Sequence, residues 1–365
     1  MEQNLPLVSI NLLTWNGEKY IEDCLNSVFN QSYSNLEILV LDNGSQDKTV
    51  EYLKRLPKKS NLKIIFNQEN IGFSVGHNRG IKESRGEFIL CLNQDVVLKN
   101  DFIENIIEIF NQNDKTGSVQ GKVLRWQKGL ATYNQNSDYN VSRIIDTTGL
   151  LVLKNRRIVN RFQGEIDQGQ FEEVKEIFGP DGAVPVYRRE ALEDVKISIA
   201  RQRTGAQNYN QIKNLNDSGE YFDESFFAYK EDVDLAWRLR LYGWKSFYQP
   251  KSVAYHDRTA GDSFALNYID IIKERLKISK FGKYLAFKNQ RLMQIKNEQV
   301  GLLIRHLPWI LAKEIGSWIY ILILEKYTWR AIGDLFKQMP QAFRKRKIIM
   351  SRKKVTSKEM SKWFY

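Results

Sequence analysis

The chain has 365 residues, too many for one minimal domain, so the length predicts two units or one large α/β unit with an appendage. With 42% hydrophobic and 27% charged residues the composition is globular, which excludes a disordered chain, a collagen and a polytopic membrane protein. The 55 Lys and Arg against 43 Asp and Glu leave a net charge of +12, which favours nucleic acid, a phosphorylated substrate or an anionic membrane as partner.

The first hundred residues alternate strand and helix. Val8 to Leu13 is a buried-strand run that ends in the turn Thr14-Trp15-Asn16-Gly17, and Ile21, Cys24, Leu25, Val28 and Phe29 then recur at helical spacing. Leu36 to Leu41 is a second strand, closed by Asp42-Asn43-Gly44-Ser45 and a helix from about Asp47. A third strand, Leu62 to Phe66, leads through Asn70-Ile71-Gly72-Phe73 to a helix around Gly76 to Glu83, and a fourth, Glu87 to Leu92, runs into Asn93-Gln94-Asp95. This alternation predicts a parallel sheet with right-handed crossovers and a ligand at the carboxyl ends of its strands.

Residues 120–260 read as a mixed α/β continuation, with strands near 144–153 and 183–188 and a polar insertion around 197–218. A helix opens near Glu231 and stops at Tyr242-Gly243. Beyond about 265 the chain becomes helical and rich in Ile, Leu, Trp and Tyr, and from Pro340 onward nine Lys/Arg face one Glu. Cys24 and Cys91 match no zinc or disulfide pattern and read as small buried hydrophobes. The opening MEQNLPLVSI lacks a signal-peptide pattern, which predicts a cytoplasmic protein.

Four polar clusters carry candidate chemistry. Thr14 and Asp42 end the first two strands, where an acid can accept from a base N–H or a ribose hydroxyl or simply cap the next helix. Asp95 ends the fourth strand and suits a Mg²⁺ or Mn²⁺ ion shared with a diphosphate, or else a plain turn. Glu231, Asp232 and Asp234 open one helix, where the macrodipole favours them and where one could act as a general base. His256 follows an apolar strand beside Asp257, as a metal ligand oriented by that neighbour or as a structural residue. The first strand–helix turn has no dinucleotide fingerprint, and no Walker sequence occurs.

In this order the clusters resemble a family 2 glycosyltransferase with the GT-A fold, in the subgroup of bacterial rhamnosyltransferases and related galactofuranosyltransferases. The stretches that carry the resemblance are VSINLLTWNGEKYIEDCLNSVFNQSYSNLEILVLDNGSQDKT, NQENIGFSVGHNRGI, GEFILCLNQD, FGPDGAVPVYRREAL and FFAYKEDVDLAWRLRLYGWKSFYQPKSVAYH, spanning roughly residues 6–260. The resemblance implies a Rossmann-like, mostly parallel sheet flanked by helices over residues 1–265. Residues 1–120 would be the nucleotide-sugar half and 121–265 the acceptor half. It implies inverting sugar transfer from a nucleotide diphosphate donor, with dTDP-rhamnose as the leading donor, to a glycan or lipid-linked acceptor in cell-surface glycan synthesis. Thr14, Asp42, Asn78, Arg79, Asn93 and Asp95 would line the donor, and Asp181, Gly182, Ala183 and Trp237 the acceptor. Asp232 would be the base with Glu231 as its partner acid, and Asp95 and His256 would hold Mg²⁺ or Mn²⁺. Asn93 stands where the family's D-x-D has its first acid, so Asp95 alone supplies charge there. A soluble enzyme using a UDP-hexose and an inactive sugar-nucleotide-binding subunit are the alternatives.

Residues 266–340 form a C-terminal helical extension whose longest uncharged stretch, Ile315 to Leu324, is about half the length needed to span a bilayer. Its tryptophans and the basic tail, 341–365, predict a peripheral position on an anionic membrane surface, on the inner face of the cell membrane. Packing on the catalytic domain or a homodimer is the competing reading. The tail lacks any folded nucleic-acid readout motif, so no nucleic-acid partner is expected.

Overall fold

The computed structural model describes residues 5–126, 142–198, 219–258 and 268–365; most of the polar insertion predicted around 197–218 lies outside them. The strands are β1 (Val8–Thr14), β2 (Leu36–Asp42), β3 (Leu62–Phe66), β4 (Phe88–Asn93), β5 (Val96–Leu98), β6 (Thr116–Arg125), β7 (Ile145–Thr147), β8 (Leu150–Val152), β9 (Ile158–Asn160), β10 (Lys175–Ile177), β11 (Val186–Arg188) and β12 (Lys245–His256). The α-helices are α1 (Ile21–Phe29), α2 (Thr49–Arg55), α3 (Gly72–Glu83), α4 (Phe102–Gln112), α5 (Arg189–Val195), α6 (Glu231–Leu241), α7 (Tyr268–Lys277), α8 (Lys280–Asn297), α9 (Val300–Arg305), α10 (Leu307–Leu324), α11 (Trp329–Arg352) and α12 (Ser357–Met360).

The main sheet runs in the order β10-β12-β6-β11-β4-β1-β2-β3. Its first half is parallel, with β1 between β2 and β4 and β3 outside β2. Antiparallel β11 then joins β4 to β6, and β12 continues parallel to β6. Nearly continuous burial along β1, β2 and β4 follows from helices on both faces, the pattern expected of parallel strands. On one face, Ile21, Cys24, Leu25 and Val28 of α1 meet Phe102, Ile106 and Phe110 of α4 over the sheet. The other face packs on α5, α6 and the C-terminal helices.

Helix α3 begins at Gly72, four residues before the predicted start. Gly72 has φ +83°, and the Phe227 carbonyl accepts from the N–H groups of Phe73 and Ser74, so the turn is closed by a distant loop. A Cβ on Gly76 would fall 2.6 Å from the Leu13 side chain, which explains how closely this helix sits on the sheet.

The C-terminal helices share a hydrophobic core with α5 and α6. Residue 340, the predicted border between helical region and tail, falls inside α11, which continues through Pro340. Lys345 is buried on Asp223 and Glu220, and Lys296 of α8 reaches both Asp223 and Asp234. Removing one partner from such a buried cluster costs about 3–5 kcal/mol. Past α12, Phe364 packs on Trp237 with ring centroids 5.5 Å apart, and the Tyr365 N–H donates to the Val152 carbonyl.

Candidate active site

The β1–β2 register places Thr14 beside Asp42 at the carboxyl edge of the sheet. Asp42 is 1% exposed; Oδ2 accepts from the N–H groups of Gly44 and Ser45, while Oδ1 is buried without a partner. A buried acceptor left open at a strand end can take a donor from a ligand. The Thr14 hydroxyl donates to Gln94 Oε1 at 2.6 Å, and the Trp15 N–H uses the same oxygen. Gln94, absent from the predicted set, therefore ties the first strand tip to the Asn93–Asp95 turn.

That turn faces β12. Asp95 Oδ1 lies 3.5 Å from His256 Nε2, so these two predicted residues do converge. His256 Nδ1 lies 2.8 Å from Asp146 Oδ2, and Asp146 is fully buried. The orienting carboxylate is thus Asp146 from β7 rather than the neighbour Asp257, which pairs with Lys19 and Tyr20. Burial opposes charge on His256, but its hydrogen bonds to the carboxylates of Asp146 and Asp95 outweigh it and raise its pKa to about 10. A divalent cation between His256 and Asp95 would displace the proton that His256 Nε2 holds toward Asp95, leaving a neutral imidazole nitrogen, oriented through Nδ1 by Asp146, and a carboxylate oxygen as its protein donors. Asp95 and His256 could hold one, leaving other positions to water and phosphate oxygens.

Asp146 continues the chain of contacts. Its Oδ1 accepts from Arg258 Nε at 2.5 Å, and Arg258 Nη2 reaches Asp181 Oδ2 at 3.3 Å. Burial raises the cost of charge on Asp146, but Arg258 and His256 hold its carboxyl well below the usual range. Asp181 also accepts from the Ala183 N–H at 3.0 Å, and the Ala183 carbonyl accepts from the Asn93 N–H. The 181–183 segment consequently touches both the strand tip and the start of α6, because the Gly182 N–H donates to Asp232 Oδ2 at 3.0 Å.

At the start of α6 the carboxylates are crowded. Asp232 Oδ1 accepts from the Val233 N–H, yet burial and the Asp181 charge push its pKa up to about 6. Glu231 is raised well above the usual carboxylate range by burial and by Asp232, and its Oε2 is buried without a partner. Asp234 points the other way, into ion pairs with Arg238 and Lys296, and is structural. The approach to α6 is strained: Phe227, Tyr229 and Lys230 all have positive φ, between 63° and 77°. Asn289 of α8 holds this loop, with Nδ2 within 2.9 Å of the carbonyls of Phe226, Ala228 and Tyr229.

Other predicted residues lie elsewhere. Trp237 has no exposed surface and packs between Phe178 and Phe364, so its indole belongs to the core instead of lining an acceptor. Asn78 is buried on the backbone of Tyr221 and Phe222, holding the loop before α6 against α3. Arg79 is exposed and bonds Asn67 Oδ1.

A mostly parallel α/β sheet flanked by helices, with one antiparallel strand joining its two halves, is a GT-A-type fold. The fold is shared with the crystal structure of S. aureus TarS 1-349 in complex with UDP-GlcNAc, at TM-score 0.50 and 18% identity, over 91% of this chain and 81% of that one. Residues 9–196 match the family described as Glycosyl transferase family 2, and the chain belongs to that family. It is 36% identical over 113 residues to an uncharacterized glycosyltransferase of Haemophilus influenzae, covering 31% of this chain and 35% of the relative. It is 22% identical over 325 residues to a poly-beta-1,6-N-acetyl-D-glucosamine synthase of Staphylococcus epidermidis, covering 88% and 64%. The chain thus spans about a third to just under two thirds of these relatives' length.

Proposed function

We propose that this glycosyltransferase moves a sugar from a nucleotide diphosphate donor to an acceptor hydroxyl in one inverting displacement. The observation that carries the reading is Asp232, a carboxylate with a pKa near 6, tied through Gly182 and the Asp181–Arg258–Asp146 chain to the Asp95–His256 pair. Asp42 and Thr14 accept and orient the nucleoside at the strand tips. Asp232, ionised at neutral pH, removes the acceptor proton as the oxygen attacks the anomeric carbon; the bond to the diphosphate breaks as the new bond forms. Burial and the Asp232 charge favour the neutral form of Glu231 beside it, which limits the negative charge crowded at this point. A Mg²⁺ or Mn²⁺ ion held by Asp95 and His256 would stabilise the charge growing on the departing diphosphate. A single displacement by the acceptor oxygen inverts the anomeric carbon. The simultaneous presence of Asp232, Asp95 and His256 favours an active enzyme over an inactive sugar-nucleotide-binding subunit.

For the donor, the sequence motifs favour dTDP-rhamnose. The relative named for N-acetyl-D-glucosamine polymer synthesis favours a UDP-N-acetylhexosamine instead. The acceptor is a growing glycan or lipid-linked saccharide in polysaccharide synthesis. Incubation with a panel of nucleotide sugars, with and without Mn²⁺, tests the reading through nucleotide diphosphate release. Release from no donor under any condition would overturn it.

A further inference from the structure

Helices α9, α10 and α11 expose an apolar face that no described residue covers. Leu307, Leu311, Ile315, Ile319 and Ile323 follow one another at four-residue spacing along α10, and all five are exposed. The stripe is flanked by exposed Ile304, Trp309, Leu324, Trp329, Phe336 and Phe343. Helix α10 is about 27 Å long at 1.5 Å per residue, and by length and composition alone it could cross a membrane. It is instead anchored along the domain: Glu314 pairs with Arg291 of α8 at 2.6 Å, and Ile321 packs with Phe287 and Ala331.

The charges around this face are of one sign. Arg305, Lys326, Arg330, Lys337, Arg344 and Lys347 are all exposed. The acids of residues 300–347 are Glu314, Glu325 and Asp334, and none is exposed. Glu314 is held by Arg291 and Lys313, Glu325 by Arg275 and Lys283, and Asp334 by Tyr284 and Lys337. A two-fold dimer through this face would set those cations against their own copies with no exposed acid to answer them. A surface with a fixed negative charge and an apolar interior satisfies both features.

We propose that the α9–α11 face docks in the interfacial layer of an anionic lipid bilayer, with the α10 stripe among the acyl chains and the cations at the headgroups. A cavity of about 570 Å³ walled by Leu303, Ile310, Leu335, Phe336, Met339 and Phe343 adjoins the stripe and offers a lipid chain a seat. The cations that serve docking are those of α9–α11 and the turn between α10 and α11. Lys345, in the stretch predicted to reach lipid, is consumed by the buried Asp223 cluster.

The test is co-sedimentation of the full chain with phosphatidylcholine vesicles and with vesicles that also contain phosphatidylglycerol, at low and high salt. Binding to the mixed vesicles that salt weakens is expected. The Ile319→Glu/Ile323→Glu variant should bind at least about tenfold more weakly, and Arg344→Gln/Lys347→Gln about tenfold more weakly at low salt only. Brominated lipids should quench the tryptophan fluorescence of the unaltered protein, a readout that needs no variant to fold. Absent vesicle binding, or binding without quenching, overturns the proposal. So does a concentration-dependent dimer that Ile319→Glu/Ile323→Glu dissolves, which would make the face a contact between copies. None of these readouts depends on which sugar is transferred.

Discussion

The two sides of the site handle buried carboxylates in opposite ways. On the strand-tip side Asp146 is fully buried yet held below the usual carboxylate range, because Arg258 and His256 lie against its two oxygens. On the helix side Glu231, buried, and Asp232, half-buried, are adjacent and raised, opposed by backbone N–H groups and the Lys230 charge. Burial acts on both pairs alike. What differs is whether a cation was placed within hydrogen-bond reach. A matched carboxylate is fixed in charge and serves as a scaffold, whereas an unmatched one stays close to its proton and can exchange it near neutrality.

The sharpest way to break this contrast is Asp232→Asn. It should lower transfer by at least about a hundredfold, the scale of a lost general base, while donor binding measured by calorimetry stays near the starting value. Near-normal turnover would move the base elsewhere. On the matched side, Asp146→Asn removes the grip on His256 and should weaken Mn²⁺-dependent binding of UDP by about 10–100-fold, the usual cost of losing a carboxylate behind a ligating histidine. Binding that EDTA leaves unchanged in the unaltered protein would deny the cation a role. A smaller change is expected for Glu231→Gln: burial and Asp232 favour the neutral form of Glu231, which the amide mimics, so kcat should fall far less than for Asp232→Asn. An equal loss would make the two carboxyls one functional unit.

The first four strands were legible because their signals are local. Each strand of β1 to β4 is an apolar run closed by its own polar turn, and Thr14, Asp42 and Asp95 sit at those ends within a few residues of the pattern that reveals them. Residues 231–234 were legible as a helix start, but not which acid does what: Asp234 is set apart from Asp232 by its partners Arg238, Lys296 and Asn297. Asp146, Arg258 and Asn289 left no local mark, since Asp146 meets His256 across 110 residues and Asn289 meets the α6 loop across about sixty. Adjacency misdirected the choice of Asp257, because neighbours on a strand point to opposite faces. Trp237 lies within a recognisable stretch, yet α6 is buried nearly all round, so membership of the motif said nothing about exposure. Counting charge in the tail likewise could not show that Lys345 is spent inside the protein.

The smallest effect expected is also the most diagnostic of the contrast. Asp181 stands between the two sides: its Oδ2 meets Arg258, and its charge is the largest cause after burial of the raised pKa of Asp232. Because the base acts as a carboxylate, kcat/KM should be half-maximal near pH 6, approach its plateau about one unit higher and fall as pH drops through the pKa of Asp232. Asp181→Asn keeps an oxygen for the Ala183 N–H but removes a negative neighbour, which makes ionisation of Asp232 easier. The acid limb should therefore move to lower pH by about one pH unit, with the plateau little changed. A role for Asp181 confined to holding its loop would instead lower the plateau and leave the limb in place. A limb that moves upward would mean that loss of the Arg258 contact had let Asp232 sink deeper from water, and the unmatched side would then owe its raised pKa to burial alone.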